Sequence, residues 1–191
     1  MHLPNEKELV RRIKNDPQTF AIVYDAYYTA IFAYIFRRLG NYELAKDVTA
    51  ETFLKAYQNI ATFYWRNISL SSWLYRIATN ETNQCFRKSK YKPSCIEDIN
   101  LHLYLPYEEG VETEKASLEK AFQENQEFVT IQQQLTLLDT KYQEVIALRF
   151  FEEKSIKEIA EILGKNEGTV KSLLSRGLEK LRVAVSKSLS N

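Results

Sequence analysis

EVIALRFFEEKSIKEIAEILGKNEGTVKSLLSRGLEKLR, residues 144–182, carries the pattern that decides the fold. Ser155 and Glu158 stand three apart ahead of an apolar-periodic run. That is the capping-box spacing, in which the two side chains satisfy the free N–H groups of a helix start. Ile156, Ile159, Ala160 and Leu163 recur on one helical face. Gly164 closes the helix, as the residue that tolerates a left-handed cap. A longer helix follows over about residues 168–185, with Val170, Leu174, Leu178 and Leu181 directed inward. A short capped helix, a glycine turn and a longer helix make a helix-turn-helix. Its second helix presents Thr169, Lys171, Ser172, Ser175 and Arg176, hydroxyls and cations suited to phosphates and base edges in a major groove. A plain helical hairpin with a solvated polar face is the bland alternative. Capping box, turn glycine and basic face agree against it.

The rest of the chain is also helical in its spacing. The pattern predicts helices over residues 5–15, 17–39, 42–60 and 71–90, with Gly40-Asn41 ending the second and residues 63–70 forming a loop. Pro93, Pro106 and Gly110 mark a stretch without periodicity, read as a linker over 93–112. Helices resume near Thr113; Phe128, Ile131, Leu135 and Leu138 form one stripe, and residues 142–151 form a further helix. The expected fold is all-α. Two small helical domains, 1–92 and 113–191, are joined by an acidic linker, the second containing the helix-turn-helix.

Charge is divided unevenly along this plan. Residues 1–92 hold 14 Lys/Arg and 8 Asp/Glu, net +6; residues 93–134 hold 2 and 9, net −7; residues 135–191 hold 10 and 8, net +2. A basic block, an acidic connector and a mildly basic end suit two modules that each face a polyanion. They also suggest that the connector screens the cationic faces of the free chain, with little direct packing between the modules.

The helix over 71–90 holds a second polar stripe. Arg76, Asn80, Asn83, Gln84 and Arg87 fall at i, i+4, i+7, i+8 and i+11, opposite Leu74, Ile77, Ala78 and Cys85. Amides pair with base edges and Arg with phosphates. Phe63, Tyr64, Trp65 and Trp73 lie close by, as a stacking platform for unpaired bases would. The alternative makes the aromatics core and the stripe solvated. A third stripe, Asp47, Glu51 and Lys55, lies opposite Ala45, Val48, Phe53, Ala56 and Ile60; on its own it reads as a simple Glu51–Lys55 helix pair.

Composition narrows the function classes. Five Gly and four Pro in 191 residues disfavour a turn-rich β architecture. The longest clean apolar run, residues 30–36, is far short of a bilayer span. Glu6, Glu8, Arg11 and Arg12 stand where a leader would need apolar residues, so a cytoplasmic location without membrane insertion is expected. Cys85 and Cys95 do not make a disulfide framework, and with His2 and His102 they lack metal-ligand spacing. No phosphate loop, nucleophile elbow or catalytic carboxylate pair occurs. No catalytic residue, metal or cofactor is expected.

The strings DVTAETFLKAY (47–57), SSWLYRIATN (71–80) and EVIALRFF…IAEILG…GTVKSLLSR together resemble the extracytoplasmic-function (ECF) RNA polymerase sigma factors, in the same order over almost the whole chain. The resemblance implies that the first domain is sigma region two and the second region four. It makes Asp47, Glu51 and Phe53 docking residues for the beta-prime clamp of core polymerase. It assigns the downstream (−10) promoter element to Trp65, Arg76, Asn80, Asn83, Gln84 and Arg87. The upstream (−35) element falls to Thr169, Lys171, Ser172, Ser175 and Arg176. It implies core polymerase (clamp and beta flap), promoter DNA and an anti-sigma factor as partners. Three departures stand out: Ala50 where the family has Gln, Leu173 where it has Arg, and a long 63–72 loop.

Other classes fit less well. A two-component regulator needs a receiver domain, and residues 1–92 show no βα alternation. A polymerase-binding adaptor without sigma activity has no use for the Arg76–Arg87 stripe. An enzyme lacks a catalytic constellation.

Overall fold

The computed structural model describes residues 6–60, 63, 68–88 and 128–189; the expected linker and Trp65 lie outside them. The described residues are helical, with no strand among them. The first module contains α1 (Glu6–Asn15), a 3₁₀ turn (Pro17–Phe20), α2 (Ala21–Leu39), α3 (Tyr42–Asn59) and α4 (Leu70–Lys88). The second contains α5 (128–137), α6 (Thr140–Ile146), a π-helical segment (Ala147–Phe151), α7 (Ile156–Leu163) and α8 (Glu167–Leu189).

Local chemistry sets most helix ends. Asp16 caps the 3₁₀ turn through the Gln18 N–H at 3.1 Å, and Pro17 supplies a first position that needs no N–H. Gly40 ends α2 at φ 66°, donating its N–H to the Phe36 carbonyl at 2.8 Å. Asn41 then caps α3 by accepting from the Leu44 N–H at 2.9 Å. The Ser155–Glu158 box is formed in both directions, and Gly164 closes α7 at φ 62°.

α3 lies against both α2 and α4, and Val23, Tyr27, Ile31, Ile35, Leu39, Ala45, Ala56, Leu70 and Leu74 fill the space between them. The 17–39 segment is long and apolar enough to cross a membrane by composition alone, yet Val23, Tyr27, Ile31, Tyr34, Ile35 and Leu39 from it lie in this core. Glu6, which looks like a surface charge in the sequence, is buried. It accepts from the Tyr27 hydroxyl at 3.2 Å and from the Leu70 N–H at 2.9 Å. A carboxylate there satisfies an open N–H at the start of α4 and meets the positive end of the helix. α1 is thereby tied to α2 and α4.

In the second module Leu135, Val145, Ile146, Leu148, Ile159, Ile162, Val170, Leu174 and Leu181 form the core. Leu178, expected inward, is 39% exposed. Gly177 takes the inward place instead. A Cβ there would lie 3.1 Å from Ile146 Cδ1 and 3.2 Å from Tyr142 Cβ, so α8 and α6 approach at backbone range. Rotating the helix to bring Gly177 inward turns Leu178 out.

The expectation of little direct packing between modules is overturned. α4 packs against α7, and α2 against the π-helical segment. Glu152 accepts from Arg37 Nη1 at 2.8 Å and from the Tyr75 hydroxyl. Lys154 Nζ donates to Ser71 Oγ at 3.0 Å, and Gln132 Nε2 to the Arg37 carbonyl at 2.8 Å. Between Glu152 and Lys154 the chain adopts φ 53° at Glu153, a left-handed conformation that costs a non-glycine residue about 1 kcal/mol. Charge bookkeeping along the chain could not reveal this interface, because every bond in it joins residues far apart in sequence.

Candidate nucleic-acid interface

Asn166 starts α8 by accepting from the Thr169 N–H at 2.7 Å. Val170 and Leu174 are buried below the helix, which fixes its rotation. Thr169, Lys171, Ser172, Ser175 and Arg176 are therefore all exposed on one side. Three hydroxyls and two cations are interspersed there, a surface able to contact phosphates and base edges of a duplex. Leu173 is half-buried against the core.

The α4 stripe is less uniform than its spacing suggests. Asn80 and Arg87 are exposed. Arg76 reaches the second module, donating through Nε to the Ile162 carbonyl at 3.3 Å and through Nη2 to the Glu161 carbonyl. These are unpaired carbonyls in the last turn of α7, where a cation meets the negative end of the helix. Asn83 accepts from Arg38 Nη2 at 2.6 Å and donates to Glu144 Oε2 at 3.2 Å. Arg38 is wholly buried; Tyr34 and Asn83 accept its hydrogen bonds, and the Glu144 carboxylate stands 4.0 Å away as its counter-charge. Gln84 faces away from this seam, into a groove between α3 and α4 that it shares with Cys85. The continuous stripe is thus split by helix rotation: Arg76 and Asn83 toward the second module, Gln84 toward α3.

Of the aromatic platform, Phe63 is core. It is buried, its ring packs on Trp73 at 4.9 Å between centroids, and its carbonyl accepts from Lys14 Nζ at 3.3 Å. Trp73 is half-buried; Tyr64, like Trp65, lies outside the described residues.

The α3–α4 groove encloses about 630 Å³ and is lined by Asp47, Glu51, Lys55, Glu81 and Lys88 around an apolar floor of Leu44, Val48 and Cys85. Burial pushes the Cys85 thiol up, away from the reactive thiolate form. Asp47 and Glu51 are exposed. Lys55 does bridge Glu51 at 3.4 Å, but its shorter contact, 2.5 Å, is to Glu81 on α4. The Glu81 hydrogen bond is the main reason its ammonium is held above the usual lysine range. The pair foreseen as a local helix brace is therefore part of a clasp between α3 and α4.

Phe53 does not belong to this exposed face. It is 4% exposed and packs edge-to-face on Tyr24 and at a tilt on Tyr28, with centroids 4.9 and 6.1 Å away. The residues beside it that do reach solvent are Leu54 (49% exposed) and Tyr57 (46%), and Tyr24 of α2, which packs on Phe53, is exposed too. Sequence reading missed this ridge. Leu54 and Tyr57 stand three apart, and that helical spacing on an outward face was the available signal.

Three surfaces thus lie on one chain: a cationic helix face, a split amide–arginine stripe and an acidic groove beside an apolar ridge. Residues 23–91 match the family described as Sigma-70 region 2, and residues 128–181 match Sigma-70, region 4. The chain is 36% identical to the ECF RNA polymerase sigma factor SigW of Bacillus subtilis, over 95% of this chain and 97% of SigW. It is 33% identical to the RNA polymerase sigma factor YlaC of the same organism, over 87% and 91%. In fold it resembles CnrH, solved in complex with the cytosolic domain of CnrY (TM-score 0.64, 22% identity, 94% and 96% covered). It also resembles the sigma factor RpoE of Bartonella quintana, solved with the anti-sigma factor NepR (TM-score 0.65, 22% identity, 87% and 96% covered). The order of the two matched regions, the exposed polar face of α8 and the 36% identity to SigW over nearly the whole of both chains agree: this chain belongs to the ECF RNA polymerase sigma factors, which direct promoter-specific initiation of transcription.

Proposed function

We propose a division of this activity among the three surfaces. Asp47 and Glu51 dock on the beta-prime clamp of core polymerase, with Leu54 and Tyr57 as an apolar flank; Phe53 holds α3 in place from below. Thr169, Lys171, Ser172, Ser175 and Arg176 read the upstream element as duplex. Asn80 and Arg87, with Arg76, Asn83, Gln84 and Trp65, engage the downstream element as it opens. Residues 1–92 and 113–191 act as the two functional domains, and the second also meets the beta flap.

The observation that carries this reading is the exposure of all five upstream candidates on one face of α8 while Val170 and Leu174 are buried beneath them. The polymerase performs the chemistry, and this chain supplies address and strand opening without catalysis of its own. It works in the cytoplasm, where polymerase and promoter are. CnrH was solved with the cytosolic domain of CnrY, and RpoE with the anti-sigma factor NepR; by likeness of fold, an anti-sigma factor is proposed here too. The test is transcription from a promoter library by core polymerase with and without this chain. Specific start sites that appear only with the chain support the reading. Their absence alongside retained polymerase binding favours an adaptor.

A further inference from the structure

Glu81 is the single acid of α4, the helix that carries the downstream stripe. It follows Asn80 directly and stands three positions before Gln84, the spacing at which helix side chains are neighbours. A bare carboxylate there would lie within a Debye length, about 10 Å at 0.1 M salt, of a strand running along Asn80, Gln84 and Arg87, and would repel its phosphates.

The carboxylate is not bare. Lys55 Nζ of α3 donates to Glu81 Oε2 at 2.5 Å, and the Glu81 side chain is only 11% exposed. Lys55 also stands 3.4 Å from Glu51, four positions back on α3. All three line the α3–α4 groove with Gln84 and Lys88. Lys88 is exposed and seven positions along α4 from Glu81; among the described residues the ion pair of Glu81 is with Lys55. Packing does not require this pair. Ala45, Ala56, Leu70 and Leu74 already fill the space between the helices, and apolar groups often replace a buried ion pair without loss of stability.

We propose that Lys55 is a positioning residue for strand opening: it holds the Glu81 carboxylate in the α3–α4 groove and cancels its charge, so that Asn80, Gln84 and Arg87 present amides and a cation, but no anion, to the opening strand. The proposal rests on the assignment of that face to the downstream element. In this role Lys55 acts on DNA through Glu81 alone. Its shorter bond is to Glu81, so a polymerase cation that takes Glu51 leaves the contact to α4 in place.

Three variants test this. Lys55→Met keeps the aliphatic stem and removes the charge. Glu81→Leu removes the acid and sets an apolar side chain toward the Val48 and Cys85 floor of the groove. The third carries both changes. Each is assayed as holoenzyme, with core polymerase saturated by the chain so that docking strength drops out, through permanganate reactivity of melted thymines.

Lys55→Met is expected to lower strand opening roughly three- to fivefold, the scale of one partly exposed charge interaction, and the double variant to return within about twofold of the unaltered chain. Glu81→Leu alone should open the promoter at least as well as the unaltered chain. A mere brace between α3 and α4 predicts otherwise, because Glu81→Leu breaks the bond as completely as Lys55→Met and would impair opening equally. Direct contact of Lys55 with the strand predicts a double variant as weak as Lys55→Met. Either of those results, or full opening by Lys55→Met, would overturn the proposal. If Lys55→Met fails to fold, Lys55→Gln takes its place in the same comparison. Failure of the underlying stripe assignment has a different signature. Asn80→Ala would then leave opening unaffected, whereas a failure confined to Lys55 leaves that Asn80 effect in place.

Discussion

The Tyr75 hydroxyl of α4 donates to the Glu152 carboxylate just past the π-helical segment, joining the two modules across 77 positions of chain. Arg37 completes the site from α2, with its guanidinium 2.8 Å from the other carboxylate oxygen and 4.8 Å from the Phe151 ring centroid. Three elements distant in sequence meet at one buried acid.

That acid makes module closure pH-dependent. Burial pushes the Glu152 carboxyl above its ordinary value of 4.5, against the opposing pull of Tyr75, Arg37 and Lys154. Separation of the modules returns it to water and to its ordinary value. The closed state thus binds the proton more tightly, and its advantage is complete below about pH 4.5. It declines as pH rises through the raised closed-state value. Small-angle scattering should show a more compact chain at pH 5 than at pH 8, as an expectation of roughly one titrating group. Glu152→Gln should flatten that response; an equal pH response in this variant would assign it elsewhere.

Docking and folding should separate on α3. Glu51→Lys is expected to weaken core polymerase binding while shifting stability by less than about 0.5 kcal/mol, since the side chain is exposed. Phe53→Ala should instead cost about 3–5 kcal/mol of stability, because it empties an aromatic site in the core. Polymerase pull-down and thermal unfolding of both variants check this. A stable Phe53→Ala chain that loses only polymerase binding would return Phe53 to the contact surface.

Gly177 offers a packing test of the second module. Alanine gains about 1 kcal/mol of helix propensity over glycine. Its Cβ would press on Tyr142 Cβ, which sits too near the backbone to swing away. Overpacking of this kind costs about 1–3 kcal/mol, so Gly177→Ala should be neutral to destabilising by about 2 kcal/mol. A clear rise in melting temperature would show that α8 can move off α6.

These cases mark what the sequence makes legible. Gly40, Asn41, Ser155, Glu158 and Gly164 act within a turn or two of their own position, and their spacing announces the helix ends correctly. The outward face of α8 is equally local, since burial of Val170 and Leu174 fixes which side is exposed. Leu178 was misplaced because a helical stripe gives rotation only to within one neighbour, and Gly177 decides it from outside the stripe. The helical spacing of α3 put Phe53 on the apolar side, where it lies; only the resemblance made it a docking residue. Glu6, Glu152 and Arg76 find partners on other elements, and spacing carries no trace of those bonds.

The central claim is that the two DNA-facing helices do different work, and one paired measurement tests it most directly: permanganate footprinting of melted thymines by the holoenzyme, beside duplex titration with the same variants. Lys171→Ala should weaken upstream duplex binding and reduce its salt dependence by roughly one unit of slope per lost phosphate contact. Asn80→Ala should leave duplex binding intact and reduce thymine reactivity, to the extent of roughly 1–3 kcal/mol for a lost base-specific bond. The same profile for both variants in both measurements would contradict the account.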